Sequence, residues 1–375
     1  MKFSRSLRTT LAALTIVALV ASVMNYRTVG AEELRSVTRF EFTAEKMGVP
    51  VRVLFYAPSE SVAEEAAEAV WARFDELNAT LSDWDPESEI IQACRATEAS
   101  GERAPISADL RRALEESRKF CELTRGAFDP TVSPIVKLWR RSRYFHERPP
   151  EKILNEAKSK VGLDVWDLNE DGLRADPGVR FDVGGIAKGI ALDEALRVLQ
   201  ARGVYSALVD ASGDLRIGDP PPGREGWRVG VSSLDDRPAF YCELSNVGIA
   251  TSGDANRYVE IEGVRYSHII DPRICEPLTT RCVGTVLAPT GTTADALASA
   301  LCVLGRDEAP EVFAQILRAE PALLDESRFD YLLLEKSGGV GESDDYVVTA
   351  SPRFLKMYAD ARASGEASSA VRESE

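Results

Sequence analysis

The sequence is short of positive charge. Its 45 lysines and arginines face 60 aspartates and glutamates, for a net charge of −15. Residues 1–31 hold Lys2, Arg5, Arg8 and Arg27 and no acid; without them 41 basic residues face 60 acidic ones, a net −19. Such a surface repels nucleic acid and anionic membrane, so a phosphate-bearing ligand needs local help from a metal or from backbone dipoles. Apolar runs are short as well: Leu11 to Val23 is too brief to span a bilayer comfortably. No two of the six cysteines stand in a C-x-x-C spacing, which speaks against a zinc site. No internal repeat and no low-complexity boundary divides the chain. The simplest partition is one α+β domain over residues 33–360.

What is present at the N-terminus reads as an export signal over residues 1–31. Lys2, Arg5 and Arg8 precede the apolar run, and Val29-Gly-Ala31 ends it in small residues. No cysteine follows at a lipid-anchor position. A cleaved signal and an uncleaved membrane anchor both place the folded part outside the cytoplasm, in the periplasm or cell envelope. Export permits disulfides. Cys121 and Cys302 lie in apolar helical patterns and read as core, whereas Cys275 and Cys282 are spaced to pair across a loop. Residues 361–375 are small and charged and read as a disordered tail.

Leu34 to Ala44 and Val51 to Ala57 alternate apolar and polar residues and predict a hairpin turning at Met47-Gly48. Ser61-Val-Ala-Glu64 opens a helix that ends near Asn78. Thr80 to Glu89 is a loop presenting Trp84, either as a stacking plate for a planar ligand or as a cap on the core. Ile106 to Thr124 is a second amphipathic helix, with Gly126 its stop. Residues 127–139 read as a rigid exposed segment held by two prolines, and 140–150 as a polar surface connection. Glu151 to Val161 is a short helix. Further strands are expected at Tyr205–Asp210, Trp227–Val231, Ala239–Leu244, Val247–Asp254, Val283–Ala288, Tyr331–Glu335 and Tyr346–Ala350, with a hairpin around Glu262-Gly263. Thr292 or Thr293 caps a helix that Gly305 stops, and Val312–Arg318 is helical.

The organising stretch is Phe181-Asp-Val-Gly-Gly-Ile-Ala-Lys-Gly189. Phe181 to Val183 read as the end of a buried strand, followed by a sharp turn and a helix with Ile186, Ile190, Ala195 and Leu199 on one face. The length then implies a crossover to Tyr205–Asp210 in the same sheet. Paired glycines let backbone approach a ligand closely, and a helix N-terminus beyond them suits a phosphate. Lys188 in the first turn opposes the helix dipole, so a nearby anion explains it better than helix stability does. Glycines kept for packing remain an equal reading. Asp295 and Ser299, four apart, share a helix face; they read as oxygen ligands for a hard divalent cation or as a carboxylate complementing the helix N-terminus. His268, one of two histidines, lies at a strand end near Asp271 and Arg273. It reads as a general base or as a hydrogen-bonded core residue.

Six blocks then occur in one order: Leu81-Ser-Asp-Trp-Asp-Pro-Glu-Ser-Glu89, Gly126-Ala-Phe-Asp-Pro-Thr131, Asp182-Val-Gly-Gly-Ile-Ala-Lys-Gly189, Ala250-Thr-Ser-Gly253, Ser267-His-Ile-Ile-Asp-Pro272 and Ala294-Asp-Ala-Leu-Ala-Ser299. Each is weak alone. Together they resemble the ApbE family, the FAD:protein FMN transferases, over nearly the whole chain from Met47 to Pro352. The resemblance implies a single T-fold-related α+β domain with mixed and antiparallel sheets and packed helices. It implies an exported enzyme that uses Mg²⁺ and moves the FMN half of FAD onto a threonine or serine of a client redox protein, releasing AMP. By the same resemblance, Asp295, Ser299 and the carbonyl of Ala187 match the metal ligands, and His268 matches the residue that activates the acceptor. Met47, Leu81, Ser82, Asp83, Trp84, Ala127, Phe128, Asp129, Gly184, Lys188, Asp193 and Ile270 match the positions that hold the flavin nucleotide.

The chain departs from the family pattern in places. Ser299 replaces threonine and keeps the hydroxyl, and Trp84 replaces a common tyrosine and keeps a stacking face. Ser212 replaces a glycine and crowds its turn. Cys275 replaces a glycine beside the histidine and narrows the acceptor's approach. Two other readings compete: a non-catalytic exported FAD-binding protein, and a hydrolase that splits FAD to FMN and AMP. Retention of His268, Asp295 and Ser299 argues against storage, since storage needs no base.

Overall fold

The computed structural model describes residues 37–234, 238–254, 257–336, 346–364 and 372–373. The export segment 1–31 and most of the tail 361–375 lie outside these. Among the described residues no helix is long and apolar enough to cross a membrane.

The chain opens with the expected hairpin, β1 (Thr38–Lys46) and β2 (Val49–Ala57). Met47 and Gly48 both take positive φ at its turn, 51° and 73°, the geometry of a two-residue hairpin loop. Helix α1 (Glu60–Leu81) is capped by Ser59 and runs three residues beyond Asn78. After a loop come α2 (Glu89–Ser100) and α3 (Ala108–Leu123). A short 3₁₀ turn at Pro130–Val132 leads into α4 (Ser133–Phe145), then α5 (Glu151–Lys158). The expected rigid segment and surface connection are therefore mostly helix. Pro134 falls in the first turn of α4, where a missing N–H costs nothing, and Ile135, Trp139 and Ser142 recur on its buried face.

Strands β3 (Trp166–Asn169) and β4 (Gly172–Ala175) form a small separate hairpin before α6 (Gly184–Gln200). Phe181 to Val183 belong to no ladder, so the anticipated strand–helix–strand crossover does not form. Phe181 and Val183 are buried, and Phe181 packs edge-on against Trp166 at 5.2 Å. The Asp182 N–H donates to the Pro130 carbonyl at 2.7 Å. Their apolar pattern reported burial under helices rather than strand pairing.

The remaining strands are β5 (Ala207–Ala211), β6 (Asp214–Ile217), β7 (Trp227–Val231), β8 (Phe240–Leu244), β9 (Val247–Gly253), β10 (Tyr258–Ile261), β11 (Val264–Ser267), β12 (Ile270–Asp271), β13 (Glu276–Pro277) and β14 (Cys282–Ala288). Helix α7 (Gly291–Ala319), β15 (Asp330–Lys336), β16 (Tyr346–Ala350), α8 (Pro352–Ser364) and β17 (Arg372–Glu373) follow. Thr290, not Thr292 or Thr293, caps α7. Gly305 breaks the helix with φ 62° and the axis resumes beyond it, so the glycine acts as a kink between the two expected segments. Helix α8 continues past Ala361, the expected start of the disordered tail.

One nine-stranded sheet runs β1-β2-β5-β6-β9-β14-β15-β16-β17, antiparallel except at its last pair. Alternation decides its faces: Val53 and Phe55 point into the larger core with α1, α6 and α7, while Leu54 points into a second core with β7, β8 and α8. A third cluster joins α4 and α5 to the β10–β13 hairpins through Ile135, Trp139, Val259 and Tyr266. All six cysteines are buried and unpaired, so Cys275 and Cys282 do not bridge. The Cys275 thiol instead donates to the Pro272 carbonyl at 3.2 Å, facing inward rather than narrowing an approach. Ser212 takes φ 55° at the β5–β6 turn with its side chain in solvent.

Candidate active site

Helices α6 and α7 touch at their N-terminal ends, and glycine makes that possible. A Cβ on Gly189 would lie 2.3 Å from the Gly291 carbonyl oxygen. Gly185 does a different job: a Cβ there would sit 2.9 Å from Ser299 Oγ and 3.3 Å from the Phe128 ring, so its absence keeps the space before that hydroxyl open. Packing and ligand approach are thus divided between the two glycines.

In the angle between the helices, Lys188 Nζ ion-pairs with Asp214 and lies 3.2 Å from Asp295 Oδ1. The Gly189 N–H donates to the other Asp295 oxygen at 2.9 Å, and the Thr251 N–H donates to Asp214 at 2.9 Å. Burial raises the Asp295 carboxyl to about 6 against the pull of Lys188. Burial alone would lower the Lys188 ammonium, but Asp295 and Asp214 hold it above the usual lysine range. Ser299 Oγ is 3.2 Å from Ser252 Oγ. Asp295 and Ser299 offer hard oxygen donors and stand one turn apart on α7, as their spacing predicts. Asp193, matched by resemblance to the nucleotide site, holds the first turn of α7: the Gly291 and Thr292 N–H groups donate to it at 2.9 and 2.8 Å, and Arg216 pairs with it at 2.7 Å. It acts on this corner by placing α7.

The loop after α1 forms the outer part. Leu81 is buried, and Ser82 Oγ accepts from the Trp84 and Asp85 N–H groups at 3.3 and 3.2 Å. Trp84 is 73% exposed, with the Arg140 guanidinium 4.1 Å from its ring centre. Arg140 also donates to Asp83 at 3.0 Å and Asp182 at 3.3 Å. Burial, then Asp83, raises the Asp182 carboxyl while Arg140 lowers it. Asp182 in turn accepts from the Gly184 N–H at 3.0 Å, which ties the tryptophan loop to the start of α6. A cleft of 410 Å³ opens beside it, lined in part by Asp83, Trp84, Lys137, Arg140 and Arg180. Ala127 and Phe128 are buried, with the Phe128 ring against Gly185 of α6, and Asp129, raised by burial, accepts from the Thr131 N–H at 2.8 Å and anchors the 3₁₀ turn.

His268 follows β11. Its N–H donates to the Arg257 carbonyl at 2.8 Å, while Nδ1 is buried and has no hydrogen-bond partner among the described residues. Burial first, then Arg143 and Arg257, lowers the imidazole to about 4, so it is neutral at pH 7 and able to accept a proton. Ile270 is buried two residues on. Met47, at the β1–β2 turn, packs against the large core.

Sequence reasoning passed over Asp214, Ser252, Arg140, Asp182 and Arg143. Asp214 directly follows the tight turn at Gly213, and Ser252 ends a strand in small hydroxylic residues, so both carried a local signal. The arginines carried none beyond a basic stretch read as surface.

The ApbE family model matches residues 47–323. The chain is 32% identical over 267 residues to the FAD:protein FMN transferase of Haemophilus influenzae, spanning 67% of this chain and 76% of that protein. It is 31% identical over 303 residues to the protein of the same name from Treponema pallidum, spanning 74% and 82%. Among solved structures it is similar to the ApbE protein of Thermotoga maritima, with TM-score 0.73 and 28% identity over 86% of this chain and 99% of that one. The flavin transferase ApbE of Vibrio cholerae is similar at TM-score 0.70 and 26% identity, over 86% and 99%.

Proposed function

The chain belongs to the ApbE family, and from that premise we propose that it moves the FMN half of FAD onto a threonine or serine hydroxyl of a client protein and releases AMP. The observation that carries this reading is the corner where Lys188, Asp295 and Ser299 meet the open face of Gly185. An acidic protein has little long-range field to offer a pyrophosphate. Lys188 is taken up by two carboxylates, so the N-terminus of α6 and a cation held by the oxygen donors would supply it locally.

Asp295, Ser299 and the Ala187 carbonyl would hold Mg²⁺. The donors fit: all are hard oxygens, and one carboxylate leaves coordination positions for water and phosphate, as Mg²⁺ prefers. Bound there, the ion supplies charge neutralisation along the pyrophosphate. The neutral His268 takes the proton of the acceptor hydroxyl; that oxygen bonds to the FMN phosphorus, the bond from this phosphorus to the bridging oxygen breaks, and AMP leaves with that oxygen. Trp84 offers its exposed face to a planar ring of the substrate, and the N-terminal end of α6 would face the phosphates. The basic start and apolar run of residues 1–31 support export to the periplasm or envelope, with membrane attachment if that segment is retained; the mass of the protein recovered from the envelope distinguishes the two.

The test is incubation with FAD, Mg²⁺ and a threonine-containing acceptor domain, followed by the intact mass of the acceptor. A gain of one FMN that chelation abolishes supports the transferase. Free FMN and AMP without a gain would replace it by hydrolysis, and FAD left intact would make the protein a carrier.

A further inference from the structure

We propose that the buried Asp254–Arg265 pair is the positioning element of His268: it fastens the β10–β11 hairpin to the end of the nine-stranded sheet and so sets where the imidazole meets the acceptor hydroxyl. The inference rests on the transferase reading and adds to it two residues that act through the histidine.

His268 is carried by an element outside the large sheet. Strands β10 and β11 pair with each other, Ile261 with Val264 at the turn and Tyr258 with Ser267 at the open end, and with no other described strand. One face of this hairpin rests on α4, where Tyr266 stacks on Trp139 with ring centres 4.9 Å apart and Val259 joins the same apolar cluster. Apolar burial is non-directional, so it does not by itself fix the orientation of the hairpin. Alternation sends Arg265 to the face opposite Tyr266, and there the hairpin meets the sheet.

The meeting point is Asp254, the residue after β9. Its side chain is fully buried, which an unpaired carboxylate could not sustain. Arg265 ion-pairs with that carboxylate, and its second guanidinium nitrogen donates to the Asp254 carbonyl at 2.7 Å. Asp254 is in turn tied to the start of β14. Its N–H donates to the Cys282 carbonyl at 3.3 Å, and its carboxylate accepts from the Cys282 N–H at 3.2 Å. The Tyr258 ring covers the Arg265 guanidinium at 4.0 Å. Strand β11 therefore hangs from the ends of β9 and β14 by a forked contact, which fixes direction as well as distance. His268 follows three residues on, about 10 Å along an extended chain. Little slack separates the two: the Ser267 N–H donates to the Leu278 carbonyl and the His268 N–H to the Arg257 carbonyl, both at 2.8 Å.

The same carboxylate acts on the ring through space. Burial, then Arg143 of α4 and Arg257 ahead of β10, lowers the imidazole to about 4, and Asp254 opposes them. A base displaced by about 1 Å loses roughly 10²-fold in rate, so a clamp that places the ring governs transfer without meeting a ligand.

The test uses the full protein loaded with FAD and Mg²⁺. Asp254→Asn keeps the size of the side chain and removes the charge opposite Arg265. Single-turnover transfer at saturating FAD should fall by roughly tenfold to a hundredfold, with FAD affinity, read from flavin fluorescence, unchanged. Arg265→Gln should do the same. Arg265→Lys keeps the charge and loses the fork, so its rate should fall between that of Arg265→Gln and that of wild type. A role in stability alone would lower the melting temperature and leave the rate of the folded enzyme as it was, which would overturn the proposal; weaker FAD binding by the variants would do so too. Where Asp254→Asn fails to fold, Arg265→Lys decides, and a rate equal to wild type then removes the clamp. Ring-labelled histidine NMR gives a readout without transfer. The chain has two histidines, and His146, exposed at the end of α4, is the internal reference. At about pH 5 the His268 signal of Asp254→Asn should lie nearer its neutral position than that of wild type, because a charge that favours the imidazolium is gone. An unmoved signal removes the clamp alone, whereas wild-type protein that transfers FMN to no acceptor removes the transferase.

Discussion

At the corner between α6 and α7 the charged groups answer one another; on the wall beside His268, between α4 and the β10–β11 hairpin, Arg143 and Arg257 have no ion-pair partner among the described residues. Lys188 has two carboxylates, Asp295 has an ammonium and a backbone N–H, and Asp214 has Lys188 and the Thr251 N–H. On the wall, His268 Nδ1 is buried without a hydrogen-bond partner among the described residues. The difference separates two tasks. A saturated network in low dielectric holds its geometry before any ligand arrives, which is how charge in a reaction is stabilised without reorganisation. Unsatisfied groups mark surfaces whose partners come from outside.

The comparison can be broken most severely on the wall. His268→Ala should bind FAD normally and lose transfer by roughly 10²–10⁴-fold; single-turnover FMN transfer that stays normal removes His268 from the chemistry. At the corner, Asp295→Asn keeps the size of the side chain and should lower transfer by on the order of 10²-fold while abolishing its response to Mg²⁺. Unchanged activity at limiting Mg²⁺ would remove the metal assignment.

Two smaller effects sharpen the contrast. The folded pKa of His268, about 4, lies below its unfolded value of about 6.5. The unfolded chain therefore takes up this proton first as pH falls. The contribution is complete above about pH 6.5 and lost toward pH 4, at most about 3 kcal/mol. Asp295 has the opposite sign, since its raised carboxyl favours the folded state below about 6. Denaturant midpoints of wild type and His268→Asn between pH 4 and 7 isolate the histidine: the variant should lose less stability on acidification, and parallel curves would contradict its burial as a neutral group. Last, Trp84→Ala should weaken FAD by roughly tenfold, the worth of one stacking contact. Equal affinity by fluorescence titration would make the tryptophan a bystander.

Much of the fold was legible where burial and backbone pattern coincide. The β1–β2 hairpin, the β10–β11 hairpin and β14 fall where alternation or a short apolar run places them. It failed where the two separate. Phe181 and Val183 look like strand residues because they are buried, yet helices rather than strands cover them. Helix α4 was hidden by two prolines, of which Pro130 lies in the preceding 3₁₀ turn and Pro134 sits harmlessly in its first turn. The one-turn spacing of Asp295 and Ser299 was visible, since a helix alone brings them together.

By itself the sequence determined what depends on neighbours in the chain: the glycine pair at the start of α6, the Asp295–Ser299 spacing, the histidine at a strand end, and six blocks in an order that marks the family. Only the tertiary structure decided which distant groups share a charge: Lys188 with Asp214 and Asp295, and Arg140 with Asp83 and Asp182. Those pairings join residues tens of positions apart. Local pattern reports which face of an element is buried, but the charge opposite that face is set by the packing of other elements against it.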